Sequence, residues 1–177
     1  MEPRWLDADE RAAWLRLIAV VELLPSALDA QLRRDSQLTH FDYYVLAMLS
    51  ESPERTLRMT ALAARTNATL PRLSHVVRRL EDRRLVERFP CPQDGRATNA
   101  RLTPAGWDAV VAAAPGHVEA VRRHVLDPLT TEQVRQLREI CDALLPTLDA
   151  DRALAPLYEA TTQVPEEPGA PRADRGP

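Results

Sequence analysis

Between Arg55 and Arg101 eleven arginines stand against four acids, Glu81, Asp82, Glu87 and Asp94. All 23 basic residues of the 177-residue chain are arginine. A guanidinium presents a planar fork of donors that fits phosphate oxygens and the O6 and N7 edge of guanine, as an ammonium does not. Within this span Leu73, Val76, Val77 and Leu80 recur at the spacing of one helical face, with Thr69 placed as a cap. Pro71, Ser74, His75, Arg78 and Arg79 then occupy the other face, with Arg72 at its flank, and no acid precedes Glu81. Such a face can neutralise phosphates and offer donors to base edges. The competing reading is a solvated helix surface, which more often mixes acids among its bases. Arg96 follows Asp94-Gly95, a pair that favours a tight turn. At the tip of a hairpin it suits a narrow minor groove, where negative potential is focused. Asp94 beside it would orient an arginine through a charged hydrogen bond or cap the turn.

The elements that must position these residues are legible from periodicity and punctuation. Trp14, Leu17, Ile18, Val21, Leu24, Leu28 and Leu32 keep helical spacing, predicting a long helix over about 7–34. Pro25 within it predicts a kink near Val21 to Glu22 or two abutting helices. Thr39 with Asp42 predicts a capping box opening a second helix to about Ser50, with Phe41, Val45, Leu46 and Leu49 inward. A short extended piece follows at Thr56 to Arg58, then a third helix from Ala61 capped by Thr60. The arginine-faced helix runs from about Leu70 to Arg83. Two strands, Val86 to Phe89 and Ala100 to Leu102, are joined by a loop from Pro90 to Asn99. Thr103-Pro104 starts a further helix to about Leu126 with a break at Pro115-Gly116, and Thr130 caps the last, whose stripe includes Leu137, Ile140, Cys141 and Leu144. Four of the 13 residues from Pro165 to Pro177 are proline, which predicts disorder there.

Helix, short strand, helix, turn, helix, hairpin is the order of a winged helix-turn-helix, whose last helix enters the major groove while the hairpin flanks it. The fold class expected is therefore mainly α with a small β-hairpin wing. The stretch from Leu57 to Thr103 resembles the multiple antibiotic resistance regulator (MarR) family of winged-helix transcription factors. Arg58-Met59-Thr60-Ala61-Leu62-Ala63 resembles the family's helix entry, Leu73 to Leu80 with Glu81 its recognition helix, and Leu85 to Arg88 its first wing strand. Asp94-Gly95-Arg96, then five residues and Leu102-Thr103, resembles the wing signature. The resemblance implies a homodimer whose terminal helices interlock, with Leu17, Val21, Leu137, Ile140 and Leu144 at the interface. It also implies two winged modules on successive major grooves of double-stranded, pseudo-palindromic DNA, and a repressor released by a small-molecule effector. The corresponding division is 1–38 for the N-terminal dimerisation region, 39–103 for the DNA-binding domain, 104–150 for the C-terminal dimerisation helices, and 151–177 for an extension, disordered from about 165. One departure is Arg84, where the family usually has glycine, so the recognition helix is expected to end in another conformation.

Other chemistries find little support. The chain has no GxGxxG or P-loop glycine pattern, no nucleophile elbow, no HExxH and no paired loop carboxylates, so no enzyme and no cofactor is expected. Cys91 and Cys141 form no CxxC pair. Cys91 leaves open a redox-responsive regulator, with arginines nearby to favour its thiolate, while Cys141 reads as interface packing. His117 and His124 lie about 10.5 Å apart along a continuous helix, too far to share one metal ion. Trp5, Trp14 and Trp107 suit core or dimer packing, or the frame of an effector cavity whose residues cannot be assigned. A winged helix that binds another protein is a further alternative, though apolar anchors would then be expected on the arginine face. Hydrophobic residues at 45 % and charged residues at 28 % fit a soluble globular protein. The acidic first ten residues do not resemble a signal peptide, so a cytoplasmic protein without a membrane segment is expected.

Overall fold

The computed structural model describes residues 3–92 and 94–159. Helices dominate, in the order α1 (Ala8–Ser36), α2 (His40–Ser50), α3 (Met59–Arg65), α4 (Leu70–Asp82), α5 (Pro104–Val121), α6 (Thr131–Leu148) and α7 (Ala155–Glu159). A three-stranded antiparallel sheet is formed by β1 (Thr56–Arg58), β2 (Val86–Cys91) and β3 (Asp94–Leu102), with β3 in the centre. A π-helical turn, Arg122–Leu126, follows α5. The core lies between α2, α3, α4, the end of α1 and the inner face of the sheet, where Leu32, Val45, Leu46, Leu49, Leu62, Leu73, Val77 and Leu80 are fully buried.

Local chemistry sets most helix starts. Asp7 and Glu10 form a reciprocal capping box at α1, Thr39 and Asp42 one at α2, and Thr130 and Gln133 one at α6, each satisfying two orphan amides. Thr103 Oγ1 accepts from Gly106 N at 3.0 Å and its hydroxyl donates to the Arg84 carbonyl at 2.7 Å, so one side chain starts α5 and ties it to the end of α4. Gly106 permits that approach, since a Cβ there would lie 2.0 Å from the Leu85 carbonyl oxygen.

Several boundaries differ from the sequence expectation. Helix α1 runs through Pro25 to Ser36 as one helix, and α5 runs through Pro115-Gly116 to Val121. Each proline removes one intrahelical hydrogen bond, and the mutual packing of α1 and α5 holds both helices together across the gap. Helix α3 begins at Met59, two residues early and without a side-chain cap, because β1 passes directly into it and buries Met59. The strands extend well beyond the expected ones. Pairing continues through Phe89↔Asn99 and Pro90↔Thr98 to Cys91↔Asp94, so residues 95–97 form a bulge. Pro90 is tolerated because β2 is an edge strand. The disorder expected from about residue 165 concerns positions outside the described residues.

The end of α4 also departs from expectation. Arg84 adopts the left-handed conformation, φ 60°, that its glycine counterparts favour. Arg84 N donates to the Glu81 carbonyl at 2.7 Å and Leu85 N to the Leu80 carbonyl at 2.9 Å, the paired bonds of a Schellman motif. Leu80 and Leu85, which those bonds bring together, are both buried in the core. Arg84→Gly is therefore expected to raise the urea midpoint, by about 1 kcal/mol of stability, since a left-handed residue with a Cβ costs roughly that much. A lowered midpoint would show that the arginine side chain contributes more than the strain removes.

Candidate nucleic-acid interface

The buried stripe of α4 is Leu73, Val76, Val77 and Leu80, which turns the opposite face to solvent. Thr69 accepts from Arg72 N at 3.4 Å and starts the helix, with Pro71 in the first turn. His75 and Arg78 project from the exposed face without a hydrogen bond or ion pair to any described residue, and Ser74 is half-buried beside the wing. Arg72 is exposed but lies over the Phe41 ring, 4.3 Å from its centroid. Arg79 turns back instead, where its guanidinium meets the carboxylate of Asp42. That carboxylate is buried to 3 % exposure, while the arginine side chain stays 43 % exposed. The sequence pattern placed Arg78 and Arg79 together on one face; the folded chain separates them into a solvent-facing cation and a helix anchor.

The wing is held to α4 by Glu81. Its carboxylate accepts from Arg88 N at 2.9 Å and Arg88 Nε at 2.7 Å. Across the hairpin Arg101 Nε donates to Glu87 at 2.7 Å and its guanidinium lies 5.0 Å from the Phe89 ring centroid. Asp94 accepts from Arg96 N at 3.1 Å, an Asx turn, and forms a longer ion pair with Arg58, at 3.9 Å and beyond hydrogen-bond reach. Arg96 stands in the bulge just after the turn rather than at the tip itself, exposed, with its guanidinium unpaired among the described residues. Between α4 and the wing lies a cleft of about 250 Å³ lined by Arg58, Ser74, Arg88, Arg96 and Thr98, with Leu70 at its edge.

Arg58, Arg88 and Arg101 were part of the basic surplus but carried no individual assignment. Only their partners in space, Asp94, Glu81 and Glu87, distinguish them. Away from this face, Leu17, Val21, Leu137, Ile140 and Leu144 are all exposed on α1 and α6, between 37 % and 57 %. Helix α6 buries no residue within the chain. Cys91 is 3 % exposed in the wing and Cys141 is exposed on α6. Trp5 and Trp14 are exposed, and Trp107 packs on the core beneath the Arg55 guanidinium, 3.8 Å above its ring. Among the described residues no group of three or more His, Cys, Asp or Glu is arranged to hold a metal ion, and no helix is long and apolar enough to cross a membrane.

A helix-turn-helix backed by a bulged two-stranded wing, with an arginine-bearing face open between them, defines a winged helix-turn-helix protein. The MarR family model matches residues 36–97. Sco3205, a MarR family transcriptional regulator from Streptomyces coelicolor solved in complex with DNA, is 46 % identical, covers 83 % of this chain and 92 % of its own, and superposes with a TM-score of 0.79. AbsC, a MarR family transcriptional regulator from the same organism, is 39 % identical over 85 % of this chain and 99 % of its own, with a TM-score of 0.77. The S. aureus MepR–DNA complex, at 23 % identity, 77 % and 96 % coverage and a TM-score of 0.66, shares the fold. No curated protein matches the chain by sequence. The chain belongs to the MarR family of transcriptional regulators.

The two neighbouring arginines of α4 should fail differently. Arg79→Ala leaves the buried Asp42 carboxylate without its cation and is expected to cost about 1–3 kcal/mol in urea unfolding. Arg78→Ala, at an exposed position, should stay within about 0.5 kcal/mol. Equal effects of the two substitutions would contradict the anchoring role of Arg79.

Proposed function

We propose that the protein regulates transcription by binding double-stranded, pseudo-palindromic operator DNA as a homodimer, with α4 in the major groove and the wing along the adjoining backbone. The observation that carries this is the uncommitted basic face: His75 and Arg78 on α4 and Arg96 on the wing are exposed and unpaired among the described residues. Buried or paired arginines at those places would have left little to meet a polyanion. In this reading Arg78 and His75 reach base edges, while Thr69, Pro71, Arg72 and Ser74 line the approach of the helix to the backbone. Arg79 acts through Asp42 by fixing the helix's orientation. Asp94 presents Arg96 to the minor groove, and the cleft beside Ser74 and Thr98 accommodates the sugar-phosphate chain. The DNA complex of the 46 % identical Sco3205 is consistent with this use of the fold.

Dimerisation is supported by apolar surface that the single chain leaves open. Helix α1 is apolar around much of its circumference from Trp14 to Leu24, and a helix apolar all round is ordinarily buried. With the α6 stripe it supplies the interface proposed for 1–38 and 104–150, which flanks a DNA-binding domain at 39–103. Family membership supports a cytoplasmic repressor whose operator affinity falls when a small molecule shifts the spacing of the two recognition helices, a population shift between competent and incompetent dimers. The deep burial of Cys91 weighs against oxidant access to a sensing thiol.

Two measurements test the reading. Fluorescence anisotropy with duplex from upstream of the protein's own gene, against scrambled duplex over a salt series, should show preference for the former, and Arg96→Ala should reduce the slope of log K against log salt by about 0.9 for each phosphate that the variant no longer neutralises. An unchanged affinity and slope would remove Arg96 from the interface. Leu144→Glu should give monomers in sedimentation experiments that bind the duplex poorly, whereas dimers of normal affinity would place the interface elsewhere.

A further inference from the structure

The seam where α1, α2 and α5 meet holds polar side chains that DNA contact does not use. His40 opens α2, and its backbone N–H donates to Asp29 of α1 at 2.8 Å. His117 of α5 faces it, with ring centroids 6.1 Å apart, and packs on Tyr43 of α2 at 4.5 Å. Beside His117, Gly116 lies so close to α1 that a Cβ there would sit 3.1 Å from Gln31 Nε2. Gln31 is buried and donates to Asp35 at 2.9 Å; its Oε1, and His117 Nδ1, are buried without a hydrogen-bond partner.

We propose that the His40–His117 pair is a pH-sensitive latch between the α1–α5 frame and the winged module. With both imidazoles neutral the three helices close on one another. In acid, two imidazolium ions facing each other across the seam loosen α2, and through the Asp42–Arg79 contact they loosen the recognition helix, so that operator binding weakens.

The geometry gives the latch its sign. An imidazolium is a donor at both nitrogens, and His117 Nδ1 has no acceptor in the closed seam. The acids that face the pair are already engaged: Asp29 with Arg33 and the His40 amide, and Asp35 with Gln31 and Arg34. Tyr43 stays neutral, its pKa raised by burial. Burial holds both histidines below their usual range; the charge of His40 lowers His117 further, and Asp29 partly opposes the shift at His40. An opened seam thus binds more protons than a closed one. The closed state keeps its full stability above the ordinary histidine value, about 6.5, and loses it as the pH falls below.

The test uses the full chain, compared with the same protein carrying His40→Gln and His117→Gln, so that His75 is common to both. Hydrogen exchange, corrected for intrinsic rates, is followed at pH 7.5 and 5.5, together with anisotropy on the upstream duplex. The expected result is acid loss of protection confined to the start of α2 and the facing part of α5, abolished by the double substitution. Duplex affinity in acid should fall on the order of tenfold relative to the double variant, within the usual range of coupling between two sites. Either His→Gln substitution alone should reduce both effects, which keeps the test available if the double variant folds poorly. Unchanged protection, loss that persists without the histidines, or seam opening with unchanged affinity for a duplex that the protein prefers over scrambled sequence would overturn the latch. The affinity readout rests on the operator reading, but the exchange readout does not. Seam opening with no duplex preference at either pH would sink the operator reading and still support the latch at the seam.

Discussion

The buried carboxylate of Asp42 holds this molecule's working parts in register. It accepts from Thr39 N at 3.0 Å, completing the cap of α2, and meets the Arg79 guanidinium of α4. A charged group taken from water needs such partners, because unpaired it would be strongly destabilising. The same logic extends in both directions. Asp29 of α1 accepts from His40 N beside that cap, and Glu81, two residues beyond Arg79, clamps Arg88 of the wing. A line of charged hydrogen bonds thus runs from the frame helix through α2 and the recognition helix into the hairpin. The apolar core beneath it supplies adhesion, and this polar line supplies orientation.

That arrangement explains how so arginine-rich a segment keeps a defined shape. Many of its cations are engaged inside the fold: Arg79 with Asp42, Arg88 with Glu81, Arg101 with Glu87, Arg58 with Asp94 and Arg55 with the Trp107 ring. Exposed pairs of this kind contribute little stability individually, but each fixes the direction of a long side chain. Of the side chains left without a partner among the described residues, Arg78 on the helix and Arg96 on the wing lie on the face that α4 and the hairpin share, while Arg84 stands at the end of α4. The overall charge of −3 therefore says little about the surface a polyanion would meet.

The apolar surface is divided in a similar way. The winged module completes its own core, whereas α1 from Trp14 to Leu23 and the stripe of α6 stay open to solvent in the single chain. Exposed apolar surface of that kind is what the proposed dimer would cover. Beside the open α1 lies the α1–α2–α5 seam, where Gln31 Oε1 and His117 Nδ1 are buried without a hydrogen-bond partner.

The amino-acid sequence by itself determined what depends on neighbours close along the chain. The capping box at Thr39, the cap at Thr130, the inward stripe of α4, the order of elements and the arginine face that follows from it were all legible, because helical periodicity and cap chemistry act within a few residues. Only the tertiary structure decided which arginines were free. Arg78 and Arg79 are equivalent in a helical pattern, and it is Asp42, 37 residues away, that separates them. Arg84 likewise takes a left-handed conformation because Leu80 and Leu85 bury themselves on a core contributed by distant elements. Strand β3 is central because β1, about 40 residues earlier in the chain, pairs with it at 99–101, while the extension to Cys91 and Asp94 rests on β2. Burial, partner choice and strand length are set by contacts between segments remote in sequence, and those exist only once the chain has closed on itself.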